Sequence, residues 1–85
     1  RVLEWRLDRG LVEWRRWLAL RAHSSALADR QCIEGAFQMA SYEGITTEFQ
    51  QQLAARRGAP VTVGELWEML EASRQEREGR KSHVL

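Results

Sequence analysis

Few residues in this chain combine the types and the spacing that chemistry requires. His23, Cys32 and His83 are the candidate soft metal ligands, and no two of them stand three or four residues apart on one helical face. A metal site within one chain is therefore not expected. Nucleophilic catalysis needs a Ser or Cys held against a base. One Cys and two distant His define no such geometry, and Ser24–Ser25 reads better as a helix cap. The six Gly are scattered, with no glycine-rich phosphate loop. The carboxylates mostly alternate with Arg, as on solvated helical faces. This pattern predicts a protein that is not an enzyme and takes no cofactor.

Recognition chemistry is better represented. Four Trp occur in 85 residues, and Trp5, Trp14 and Trp17 fall within the first 17. They interleave with Arg, and the triplet Glu-Trp-Arg occurs twice, at 4–6 and 13–15. One or two large aromatics anchor a core this small; the surplus either joins that core or faces a partner. Trp and Arg are enriched at binding hot spots, and the interspersed Glu4, Asp8 and Glu13 provide register-specific pairing. The expected partner-binding residues are Trp5, Arg6, Arg9, Val12, Arg16 and Trp17, and the expected partner is a protein chain or a further copy. Nucleic acid suits this segment less well. Its acids repel the phosphates that Arg would attract, and the formal net charge is only +1. Its polar face is mixed, unlike the uniformly basic face of a membrane-surface helix.

Composition bounds the object. Apolar residues make up 44% and charged residues 29%, which argues for a globular chain. At this length the core is single and modest. Twelve Arg against one Lys reflect either a GC-rich genome or a use for guanidinium groups at interfaces. Cys32 is alone, so no intrachain disulfide forms. There is no Asn, hence no N-glycosylation acceptor. No apolar run approaches the roughly 18 residues of a membrane span, and no signal-peptide pattern opens the sequence. A cytoplasmic location is expected. The first residue is Arg, not Met, as in a trimmed or processed piece of a longer protein.

The elements that must position these residues are helical. Leu3, Leu7, Leu11, Trp14 and Leu18 fall within an arc of about 80° on a helical wheel. They predict a first helix over about 2–22, although residues 1–10 also alternate as a strand ending at Asp8-Arg9-Gly10. Ser24 or Ser25 then caps a helix over 26–43, with Ile33, Phe37 and Ala40 inward and Gly44 as its stop. Thr47 and Gln50 have capping-box spacing for a short helix over 48–57, with Phe49 and Leu53 inward. Thr62 and Glu65 form the strongest such box, with Val61 and Leu66 as a hydrophobic staple, for a helix over 63–77. The prediction is an all-α, four-helix domain over 1–78 with a polar tail over 79–85. Its core draws on Leu7, Leu11, Trp14, Leu18, Ile33, Phe37, Ala40, Phe49, Leu53, Val63, Leu66, Trp67 and Leu70.

Residues 60–75, from Pro60-Val61-Thr62 through Leu66-Trp67 to Ser73-Arg74-Gln75, resemble the first helix and turn of a bacterial helix-turn-helix. That resemblance implies a small DNA-binding protein with the element over 60–77. Glu71 stands where a small turn residue is wanted, and Glu76-Arg77-Glu78-Gly79 supplies no apolar anchor for a recognition helix. A single capped helix accounts for the same residues.

Overall fold

A computed structural model describes residues 10–82. Within them the chain is all-α, with four helices: α1 (Leu11–Ala19), α2 (Arg30–Glu43), α3 (Thr46–Ala54) and α4 (Val63–Ser82). No strand occurs among the described residues; the only β pairing there is a single antiparallel bridge between Leu27 and Thr62. The first part of the expected 2–22 helix, the alternative strand over 1–10 and Leu7 lie outside the described residues.

The helix does not run through Gly10. Gly10 sits at φ 86°, ψ 164°, outside the region an L residue adopts readily, and serves as the N-cap of α1. At its other end α1 stops at Ala19, short of 22, and Arg21 to Ser24 close tight turns on Leu18 to Arg21. The second helix begins at Arg30, not 26. Its cap is Asp29, whose carboxylate accepts from the Cys32 N–H at 2.8 Å, and not either serine. Ser24 instead accepts from the Ala26 N–H at 3.1 Å. Residues 26–28 stay extended because their backbone bonds to the chain ahead of α4: Ala28 N to Val61 O and Val63 N to Ala26 O, each 2.8 Å. Gly44 ends α2 in the left-handed conformation, φ 74°, as expected.

The third helix starts at Thr46 and stops at Ala54, two residues earlier and three shorter at its end than expected. The Thr47–Gln50 box does not form. Buried Ile45 occupies the N-cap position, its N–H bonded to Ala40 O at 2.8 Å, and that tight α2–α3 corner pulls Thr47 inside the helix. The Thr62–Glu65 box does form. Glu65 N donates to Thr62 Oγ1 at 3.0 Å, and Thr62 N donates to Glu65 Oε1 at 2.8 Å. With Val63 N on Ala26 and Gly64 N on Ser24 O at 3.1 Å, the three leading N–H groups of α4 all have partners. Gly64 is required there: a Cβ would lie 2.8 Å from both Ala22 O and Ser24 O.

Helix α4 packs against all three others. Trp14, Leu18, Ala40, Phe49, Val63, Leu66 and Leu70 are buried as expected. Leu11, Ile33, Phe37, Leu53 and Trp67 are only partly buried, packed against the rim of that core. Trp17, Cys32, Ala36, Met39, Ile45, Val61 and Met69 complete it. Phe37 and Phe49 meet edge to face at 5.0 Å and join α2 to α3. The fourth helix continues past 77 to Ser82, so residues 79–82 are helix and not tail.

Replacing Thr62 by Ala removes one capping bond and leaves the Glu65 N–H without its acceptor. The expected loss is about 1 kcal/mol, or a melting temperature lower by roughly 4–8 °C for a domain of this size. An unchanged thermal melt contradicts the cap.

Candidate functional site

Three charged clusters organise the surface around α4. In the first, Glu43 at the end of α2 receives Arg74 of α4 through Nε on Oε1 and through Nη2 on Oε2, the latter at 3.0 Å. Arg15 of α1 reaches the same carboxylate at 3.5 Å. A carboxylate at a helix C-terminus opposes the helix dipole, and two guanidinium groups offset that here. Arg74 also pairs with Glu71 at 3.0 Å. Burial disfavours the charged form of Arg74, yet Glu43 and Glu71 outweigh it and hold its pKa above the ordinary value. Arg15 and Arg74 both lie over the Trp67 ring, at 5.2 and 5.9 Å from its centroid. The cluster thus ties α1, α2 and α4 around one half-buried Trp.

The second cluster is centred on Glu48, in the first turn of α3. Its side chain is fully buried, and Arg80 and Arg77 of α4 reach its Oε2 at 2.9 and 3.4 Å. The hydrogen bond to its own backbone N–H, then the two guanidinium groups, outweigh burial and hold its carboxyl below the ordinary 4.5. The third cluster clamps the α4 cap. Arg56 forks onto Glu65 at 2.8 and 3.1 Å and bonds Pro60 O at 2.9 Å. Arg56, then the Thr62 backbone, hold the Glu65 carboxyl below its ordinary value.

Cys32 is a buried free thiol. Burial, then nearby Asp29, push its thiol up to about 11, so it stays protonated at neutral pH. Among the described residues no three His, Cys, Asp or Glu gather as metal ligands, and no helix is long and apolar enough to cross a membrane.

The residues expected to bind a partner divide three ways. Trp5, Arg6 and Arg9 lie outside the described residues. Trp17 is core: 8% exposed, with the Arg21 guanidinium 4.4 Å from its ring centroid and Arg21 Nη1 on its carbonyl. Its place beside the Leu11–Trp14–Leu18 stripe, a margin on the helical wheel, becomes interior once Arg21 closes over it. Val12 and Arg16 are exposed on α1, on the side opposite Trp14 and Leu18. Leu20, not singled out from the sequence, continues that ridge four residues on and is 78% exposed. Its hydrophobic type at the i+8 position from Val12 was the signal available.

Two of the clefts that border α4 lie beside its charged residues. One, of about 320 Å³, lies between the Glu43–Gly44–Ile45 corner and Arg74, Arg77 and Glu78. The other, of about 370 Å³, runs along Trp67, Glu68, Glu71, Ala72 and Gln75, with Ala22 and His23 as its far wall. Over residues 60–77 no turn interrupts α4, so the helix-turn-helix geometry is not formed. Compared with known proteins, the chain matches no family model, no curated protein and no solved structure.

Both Glu48 and Glu65 have depressed pKa values in the folded state, so each stabilises the fold above the unfolded value and loses that contribution as pH falls through the folded one. The melting temperature is expected to hold through neutral pH and drop below about pH 4.5. Glu48→Gln should lower it at neutral pH and flatten that acid limb. A variant with the wild-type acid profile contradicts the role given to Glu48.

Proposed function

We propose that this chain is a non-catalytic interaction or assembly module that binds another protein chain, or itself, through the exposed face of α1. The observation that carries this reading is the ridge Val12–Arg16–Leu20. Val12 and Leu20 are 75% and 78% exposed, and they bracket an Arg16 side chain that makes no ion pair among the described residues. Single exposed aliphatics are ordinary on any surface. Two of them four residues either side of an Arg give a helix the i, i+4, i+8 row of anchors that helix-docking interfaces use. The three clusters around α4 leave this ridge untouched, which separates what holds the fold from what is free to bind.

DNA binding is the alternative that the 60–77 resemblance implies. Continuous α4 offers no recognition helix for it, and the small net charge offers little phosphate attraction.

The test is the double variant Val12→Ser with Leu20→Ser, whose melt should match wild type because both side chains are exposed. Capture of protein from the source cell and self-association by light scattering should both be compared with wild type. Loss of whichever interaction the wild type shows is expected; full retention contradicts the assignment of α1. In parallel, the wild-type chain should bind generic duplex or single-stranded DNA no tighter than roughly 0.1 mM at physiological salt. A micromolar complex that loosens with salt, and is lost when Arg6, Arg15 and Arg16 are replaced, would favour the alternative.

A further inference from the structure

The α1 ridge and the Trp67–Gln75 cleft fit each other in length, shape and charge. From Val12 to Leu20 the ridge rises about 12 Å at 1.5 Å per residue, and so does the cleft floor from Trp67 to Gln75. The ridge is an i, i+4, i+8 row, and rows of that kind pack into the grooves between rows four apart on a facing helix. The cleft supplies such a groove. Trp67 and Glu71 form one row of α4, and Glu68 and Ala72 the next.

Charge sets the register. Arg16 is exposed and unpaired among the described residues, and so is Glu68, which lines the cleft beside Trp67. Glu71 beside it pairs among the described residues with Arg74 alone. The cleft walls carry His23, Glu68 and Glu71, so an arriving cation meets carboxylates while Ala22, Ala72 and Trp67 receive aliphatic neighbours. Within one chain this pairing is not made. Arg15, the neighbour of Arg16, is the α1 side chain over Trp67, while Val12, Arg16 and Leu20 stand out in solvent.

Resting on the interaction reading above, we propose that the partner is a second copy, docking its Val12–Arg16–Leu20 ridge into the acidic Trp67–Gln75 cleft of the first, with Arg16 against Glu68 and Glu71. The contact is head to tail, because the two surfaces differ. Each bound copy keeps one free ridge or one free cleft, so association continues past the dimer unless the rotation closes a ring. The small area of one ridge in one cleft places each contact in the weak class.

Light scattering of the intact chain up to about 1 mM, a range set by that weak class, tests this. Wild-type mass should rise with concentration beyond two copies. Arg16→Glu alone and Glu68→Arg alone should each weaken association about tenfold or more, since each puts like charges together. The variant carrying both changes should recover it, because the pair is restored with its signs exchanged. Circular dichroism melts should be unchanged in all three, as both side chains are exposed. A wild-type chain that stays monomeric overturns the proposal. So does wild-type association in Glu68→Arg, or a double variant that does not recover. A monomeric wild type that still captures a different protein, and loses it with Val12→Ser and Leu20→Ser, sinks self-docking alone and leaves the interaction reading standing.

Discussion

The buried Glu48 carboxylate and the two arginines that reach it decide where the longest helix ends and how the short third helix sits. The apolar stripe of α4 runs through Val63, Leu66, Met69 and Leu70 and finishes at buried Ser73, whose hydroxyl donates to Met69 O. Beyond that point the sequence is polar and includes Gly79, which costs about 1 kcal/mol in a helix interior. A helix end of that kind frays when nothing packs on it. Arg77 and Arg80 give it an anchor on α3, and Arg74 gives it one on α2. Exposed ion pairs contribute little individually. These differ because the shared carboxylate is buried, so its partners are obligatory and not optional.

At the other end of α4 the backbone does the same work. The 24–28 segment lies alongside 61–64, satisfies the leading N–H groups and brings the α1–α2 connection against the helix start. Gly64 permits that approach, and Arg56 ties the cap to the end of α3. A chain of this length, whose α1 and α3 have nine residues each, cannot rely on helix propensity. Both ends of the central helix are fastened by polar contacts, and the apolar core fills the span between them.

The sequence made the helical class, the Thr62–Glu65 box, the Gly44 stop and most of the central core legible, because these depend on local pattern. Its errors share one cause. Asp29 rather than Ser24 caps α2 because residues 26–28 are held extended by a segment more than thirty positions away. Thr47 fails as a cap because Ile45 is drawn into the core. Residues 79–82 read as a tail because Glu48, the group that retains them, lies about thirty residues earlier. On the candidate surface, Val12 and Arg16 were visible from periodicity. Leu20 was marked only by its apolar type eight residues after Val12, since its exposure depends on where α1 ends, and the acidic cleft was unmarked, since it depends on which turn faces α4.

The charges divide into two sets: Arg74, Arg77 and Arg80 are committed to the fold, while Arg16 and Glu68 are exposed and make no ion pair among the described residues. Amide hydrogen exchange along α4, in wild type and in Glu48→Gln, tests the structural half most directly. The expected result is lost protection over residues 76–82 with protection kept over 65–72. Uniform protection loss along the whole helix, or none anywhere, would contradict the claim that Glu48 is what holds the far end of α4.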